Sequence, residues 1–398
     1  MIHDRDIVVI GIQAWDIEIG SNCKNIALEF SKSNRVLYVN PPLDRISRYK
    51  EKYTAKIQHR LKVQKGLEPD LVQMDENIWN LNPFGLVESI NWIKSPWLFD
   101  MLNKRNNRIF ANAIRSAIVR LGFKDIILFN DSSMFLGLYL KELISHKTYV
   151  YYMRDYLTRN PYWRKHGVRT EPVLIGKSDV VVNNSTLYAK YGQQFNRHSY
   201  MVGQGCDVSL FNDIENQISP AEDLHPFSHP IVGYVGALSA RRLDIKLLAY
   251  IASQRPKWNI VLVGPEDDAF KNSELHGISN IHFLGSRDSS VLPQYIKGFD
   301  ICINPQLVND ATMGNYPRKI DEYLAMGKPT LATATEAMEY FRDYTYLAVT
   351  HQDYIELIEL ALSENTVEKE KSRRELAKSH TWENNVNEIS KAIELVSK

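Results

Sequence analysis

Short, β-branched, almost continuously apolar runs, separated by segments of helical length, constrain this chain more than any other feature. In the first half they fall near Ile7–Ile12, Val36–Val39, Ile126–Phe129, Thr148–Tyr152, Val180–Val182 and Tyr200–Val202. In the second half they fall near Ile231–Val235, Ile260–Val263, Ile281–Phe283, Ile301–Ile303 and Thr330–Thr333. Strands that alternate apolar with polar leave one face wet, whereas runs apolar throughout belong to parallel sheets covered on both faces by the intervening helices. Two series of such runs predict two Rossmann-like, doubly wound α/β domains. A chain of 398 residues is long enough for both, at roughly 100–200 residues per domain. The first is expected over 1–210 and the second over 231–381. Residues 211–230 are polar, hold three prolines and show no sustained periodicity, so they read as a linker. The last segment, 382–398, sets Val386, Ile389, Ile393 and Val396 at helical spacing and predicts an amphipathic helix.

Charge and cysteine usage exclude several function classes. The 48 Lys and Arg against 47 Asp and Glu leave a net +1, which argues against a general nucleic-acid binder. No run approaches the ~18–20 apolar residues of a membrane span. The first six residues carry mixed charge and no long apolar core, unlike a signal peptide. Three cysteines (Cys23, Cys206 and Cys302) stand far apart without a C-x-x-C pair, which gives no metal framework and fits a reducing cytoplasm. The expected location is cytoplasmic. From Arg45 to Lys65, however, eight Lys or Arg meet one acid, Glu51, a local +7. Such a segment either holds the protein on an anionic membrane surface or is a solvated helical face. Trp92, Trp97 and Phe99 lie nearby as candidate interfacial anchors or as core.

The segment Asn315–Thr333 carries the most chemistry. Pro317 suits the first helical position, Gly327 the position just past the end, and Pro329 stops continuation, so a short helix over about 317–326 is expected. Its N-terminus would follow the strand Ile301–Ile303, where free N–H groups attract an anion. Lys319 and Glu322 share a face. A carboxylate there can accept both hydroxyls of a ribose, although a plain surface Lys–Glu pair is the other reading.

Taken in order, the motifs resemble those of GT-B glycosyltransferases, retaining-type nucleotide-sugar families in particular. Proline, lysine, then E-Y-L-A-x-G-K-P (Pro317 to Pro329) resembles their nucleotide-sugar helix. Gly203-Gln-Gly-Cys-Asp207 with Phe211 is similar to their turn at the domain junction, and Ile231–Leu238 to the first strand and glycine loop of the donor domain. His282–Gly285, Phe299–Pro305 and Thr381-Trp382 follow in the expected sequence, while Val8 to Asp16 and Val36–Pro42 resemble the N-terminal domain of polysaccharide-type members.

The resemblance implies two domains facing a cleft, a C-terminal helix returning to the first domain, and transfer of a sugar from a nucleotide diphosphate sugar to a hydroxyl acceptor. The acceptor would be a glycan or lipid-linked, in bacterial surface polysaccharide synthesis, with no metal or other cofactor. Nucleotide-sugar binding would rest on Gly236, Arg241, Arg242, Lys319 and Glu322. The family's frequent first glutamate of E-x7-E is Gly314 here, its glycine-loop arginine is Ala237, and its following lysine is Arg242. The stereochemistry therefore stays open, and the two loop arginines are either diphosphate ligands or solvated. A nucleotide-sugar epimerase and a catalytically silent binding protein share the fold.

Asp155 follows the strand Thr148–Tyr152, at the end where α/β sites assemble, and resembles the base of inverting members. Its other reading is an ion pair with Arg154 or Arg159. Glu171, near an expected helix start, and Asp131, in a strand-end loop, are weaker candidates. Gly20, Ser21 and Asn22 precede a helix and would either touch phosphate or acceptor or cap that helix. The acids Asp4, Asp6, Asp267 and Asp268 lack the context of a metal site.

Overall fold

Each expected apolar run becomes a strand. The computed structural model describes residues 2–17, 21–213, 217–309, 312, 314 and 316–397. It divides into two compact units, Met1–Gly205 with Trp382–Lys398, and Cys206–Thr381. No helix among the described residues is long and apolar enough to cross a membrane.

The first unit holds β1 (Asp6–Gly11), β2 (Arg35–Val39), β3 (Leu71–Asp75), β4 (Ile78–Leu81), β5 (Ile127–Asp131), β6 (Thr148–Met153), β7 (Val180–Asn183) and β8 (Ser199–Met201). Their order across the sheet is β3-β4-β2-β1-β5-β6-β7-β8, parallel except for the β3–β4 hairpin. β1, β5, β6 and β7 are buried along their whole length, because crossover helices cover both faces. Register is anchored where β1 and β2 begin: Asp6 lies opposite Arg35 and accepts two hydrogen bonds of 2.8 Å from its guanidinium.

The second unit holds β9 (Ile231–Val235), β10 (Asn259–Val263), β11 (Ile281–Gly285), β12 (Ile301–Asn304), β13 (Thr330–Thr333) and β14 (Tyr346–Ala348). The order is β11-β10-β9-β12-β13-β14, with every recorded pairing parallel. The order in which successive strands are added reverses between β9 and β12, the place where open α/β sheets form a crevice at the strands' carboxyl ends.

The helix Trp382–Val396 belongs to the first unit, where Val386, Ile389 and Ile393 join the core with Ile26 and Phe30 of the helix Asn22–Ser31. Burying three such side chains contributes about 1.5–3 kcal/mol each. Gly205 allows this return, since a Cβ there would stand 2.3 Å from the Trp382 ring.

The segment expected to be a linker is part of the second unit. Phe211, Ala221 and Leu224 enter its core, and the buried Asp213 carboxylate meets Lys297 Nζ at 2.5 Å. Its polar composition reflects a strap that buries a few apolar side chains, not a free connection.

Candidate functional site

In the second unit, the expected helix forms over Lys319–Ala325. It ends as its sequence indicates: Gly327 has φ +74°, and the N–H groups of Gly327 and Lys328 bond the carbonyls of Leu324 and Tyr323. Its start is shorter than expected. Pro317 stays outside, and its carbonyl accepts from Ile320 N at 2.9 Å.

Three side chains seat this helix. Tyr323 OH accepts from Val235 N at 2.9 Å, tying it to the end of β9. Asp321 is fully buried; Tyr316 OH donates to it at 2.9 Å, and His380 Nδ1 lies 2.6 Å from its other oxygen. Burial pushes the Asp321 carboxyl up, against the pull of His380, Tyr316 and Arg318. With Asp321 turned inward, Lys319 faces the carboxyl end of β9, and Glu322 shares its helical face.

There the geometry is tight. Gly236 has φ +136° and Gly264 +153°, and a Cβ on Gly264 would lie 2.0 Å from the Gly236 carbonyl oxygen. A Cβ on Gly236 would lie 2.8 Å from Lys319 Nζ. The Lys319 ammonium sits 3.9 Å above the Tyr234 ring and donates to its hydroxyl, a cation–π arrangement. Glu322, one turn further, has no hydrogen bond or ion pair among the described residues. Burial pushes its carboxyl above the ordinary range, while Arg318 and Lys319 draw it down. Arg318 Nε is buried without an acceptor. Arg318, Lys319 and Glu322 thus stand at the start of this helix with no ion pair among the described residues, an arrangement that favours a ligand carrying both anionic groups and hydroxyls.

Of the residues singled out from sequence, Gly236 and Lys319 meet at this strand end, and Glu322 lies one turn from Lys319 on the same helical face. Arg241 and Arg242 lie on the loop after Gly236. Their carbonyls accept from Asn309 Nδ2 at 2.9 Å and Leu307 N at 2.8 Å, and their side chains are exposed. Gly314 has φ +82°, a conformation that disfavours the glutamate found there in the resembling family. Arg318, Asp321, Tyr234 and His380 were not singled out. Arg318 had a signal, its charge directly before Lys319.

In the first unit, a second cluster sits at the carboxyl ends of β1, β5 and β6. Asp131 is fully buried and receives Arg154 Nε at 2.9 and 3.2 Å. Arg154 Nη1 donates to Asp155 at 3.0 Å, and Nη2 to Gln13 Oε1 at 3.0 Å. Burial pulls the Arg154 guanidinium down, but Asp131 and Asp155 outweigh it and the group is held firmly charged. Ser132, with φ +59°, donates to the Tyr152 carbonyl at 3.1 Å and so fixes the strand end that aims Asp131. Asp155 remains 44% exposed, the outermost carboxylate of the cluster.

Ser21 takes the capping role. Its hydroxyl accepts from Lys24 N at 3.3 Å and donates to Gln13 at 2.7 Å, and both Ser21 and Asn22 are buried. Of the two readings for this segment, the structure shows the cap at Ser21, while Gly20 lies outside the described residues. Glu171 is not at a helix start; it sits deep in the helix Pro161–Lys177, accepting from Tyr151 OH at 2.8 Å. Phe99 is core, stacked on His166 at 3.8 Å, whereas Trp92 and Trp97 are 70% and 72% exposed.

Comparison with known proteins bears on the fold and on the second unit. Residues 229–363 match the family model described as glycosyl transferases group 1. TuaH of Bacillus subtilis (strain 168), named for a glycosyltransferase of teichuronic acid biosynthesis, is 30% identical over 193 residues, 46% of this chain and 47% of that protein. The chain thus spans about half the length of that curated relative. Among solved structures, sucrose-phosphate synthase from Thermosynechococcus elongatus matches with a TM-score of 0.65 at 15% identity, covering 98% of this chain and 99% of that one. HepE of Anabaena, solved in complex with UDP, matches with a TM-score of 0.65 at 15% identity, covering 98% and 100%.

Proposed function

The chain has the GT-B glycosyltransferase fold and its second unit carries a glycosyl transferases group 1 domain; from that premise we propose that it transfers a sugar, a hexose in this reading, from a nucleoside diphosphate donor to a hydroxyl of a growing surface polysaccharide. The observation that carries this reading is Lys319 set against Gly236 at the end of β9, with Glu322, whose carboxylate has no partner among the described residues, on the same face of the helix. Glu322 accepts the two ribose hydroxyls. Lys319 and Arg318, with Arg241 and Arg242 from the facing loop, compensate the diphosphate; guanidinium forks suit phosphate oxygens. In the transfer step the acceptor oxygen bonds to the anomeric carbon as its proton passes to Asp155. The bond from that carbon to the diphosphate oxygen breaks, and the electron pair leaves on the nucleoside diphosphate, where the cations meet the added charge. The reading uses no metal ion.

Glu322→Ala tests the donor site. The substitution removes a charged hydrogen-bond partner without touching Asp321 or Tyr323, which seat the helix. Affinity for UDP or ADP, whichever the wild type binds, falls by about 1.5–3 kcal/mol in calorimetry. Unchanged affinity places the nucleotide elsewhere and removes the reading.

The acceptor is proposed to be lipid-linked, with the protein held at the inner face of the membrane through the helices Arg45–Lys50 and Ala55–Gln64. Arg45 is paired with Glu88 and Lys62 with Glu68, but Arg48, Lys50 and Lys52 have no ion pair among the described residues, and Tyr49 and Tyr53 beside them are 79% and 84% exposed. Changing Arg48, Lys50 and Lys52 to Gln weakens binding to anionic vesicles by about 100-fold at low salt, at about 1 kcal/mol per residue. Nucleotide affinity stays as it was. Equal co-sedimentation of variant and wild type removes the membrane role.

A further inference from the structure

Most basic side chains between Arg45 and Lys65 are exposed, but Arg60 is not. It projects from the helix Ala55–Gln64 into a pocket at the carboxyl ends of β2 and β4, lined also by Pro41, Leu43, Gln64, Asn82 and Pro83. Its Nη2 is buried with no acceptor, and among the described residues the guanidinium makes no hydrogen bond or ion pair. Neighbouring cations are matched: Lys56 reaches Asp16 at 3.7 Å and Lys62 reaches Glu68 at 2.9 Å. Asp16, Asp44 and Glu51 are near enough for Arg60 to feel, yet none comes within ion-pair distance, and burial outweighs them and pulls the group down. Asp44 is occupied as the cap of the helix Arg45–Lys50, accepting from Ile46 N, Ser47 N and the Ser89 hydroxyl.

The remaining polar groups of the pocket are also satisfied. Gln64 donates to the Pro83 carbonyl at 3.0 Å and accepts from Gly85 N at 3.0 Å. Asn82 accepts from Asn40 at 2.8 Å and lies 3.3 Å from His59 Nε2. What is left over is a half-buried guanidinium whose Nη2 is out of water and has no acceptor among the described residues; its fork of N–H donors suits a planar carboxylate or one face of a phosphate presented at the mouth of the pocket. A charge held partly out of water without a partner lowers stability, and an anion supplied by a ligand offsets that cost.

We propose that Arg60 binds an oxyanion, phosphate or carboxylate, carried by the acceptor. This rests on the glycosyltransferase reading and sets the size of its acceptor. β4, β2, β1, β5 and β6 are successive neighbours in one sheet, so Arg60 and Asp155 share its carboxyl edge, separated by three to four strand spacings, roughly 14–19 Å. More than one sugar ring lies between the anion and the hydroxyl that accepts the new sugar.

The test is calorimetry on the full chain with geranyl diphosphate and with methyl glucuronide, each with excess UDP present to keep diphosphate out of the nucleotide site. At least one ligand binds the wild type, Arg60→Met weakens it tenfold or more, and Arg60→Lys recovers part of the loss. UDP affinity is equal in all three proteins, and Arg60→Met melts at or above the wild-type temperature. Arg60-dependent binding of the diphosphate identifies a lipid carrier as the source; of the glucuronide, an acidic glycan. If neither ligand binds, or if Arg60→Met binds as well as wild type, the site does not exist. A lower melting temperature of the variant with unchanged ligand binding means that Arg60 pairs with Asp16 or Asp44 in solution, which equally overturns the proposal. Absence of UDP binding with anion binding intact removes the donor reading and leaves this one standing.

Discussion

Asp155→Asn lowers turnover by about 100-fold or more while donor affinity is unchanged. Asparagine has the same shape, and its carbonyl oxygen still accepts from Arg154 Nη1, now 3.0 Å from the carboxylate. The Asp131–Arg154 contacts that organise the strand end are untouched. What is lost is the capacity to take the acceptor proton, a contribution of typically 10²–10⁴ in rate. Donor binding is proposed on the second unit, whereas Asp155 lies in the first, so calorimetry with nucleotide separates the two effects. Turnover within a few-fold of wild type would remove Asp155 as the base and favour a retaining reaction, in which the leaving diphosphate itself takes the proton.

The strands were legible because of their surroundings. A parallel strand covered on both faces has no polar side to display, so every residue of β1, β5, β6 and β9 had to be compatible with burial. Where that condition lapses, the reading lapses too. β3 lies at the sheet edge and is half-exposed along Leu71–Asp75, so its Gln73 and Asp75 read as loop. β14 has three residues and no run to detect.

The site was legible in part, and the same reasoning shows why. Lys319 and Glu322 could be placed on one face by helical spacing alone. That Asp321, directly before Glu322, is fully buried depends on His380, 59 residues away, which no local pattern reports. The Asp131–Arg154 pair depends on register, with Asp131 opposite Tyr152 across β5 and β6. Arg60 shows the limit most plainly: the sequence displays a charge excess over 45–65 but not which charge the fold takes out of water.

Between pH 5 and pH 8 Glu171 contributes a loss of stability to the first unit as pH rises, and Glu171→Gln removes that contribution. Glu171 is 1% exposed; one oxygen accepts from Tyr151 OH and the other is buried without a partner. Burial pushes its carboxyl from 4.5 up to about 7, the Tyr151 hydrogen bond pulling the other way. The native state therefore keeps this proton to about pH 7, whereas the unfolded chain gives it up near 4.5. In that window the folded form binds more protons, so stability falls as pH rises and levels off above about 7. A displacement of about 2.5 units corresponds to about 3 kcal/mol, or roughly 6–12 °C in the melting temperature of a unit this size. The groups that feel Glu171, namely Tyr151, Tyr188 and Tyr191, are all pushed up by burial and stay neutral throughout, so they do not confuse the window. Glutamine keeps the acceptor for Tyr151 and brings an amide whose unmet hydrogen bonds cost about 1–3 kcal/mol at every pH. Its melting temperature therefore lacks this decline, and the difference between the two slopes isolates one proton. Parallel slopes in the two proteins would mean that water reaches Glu171 in solution and that its carboxylate ionises inside the fold without penalty.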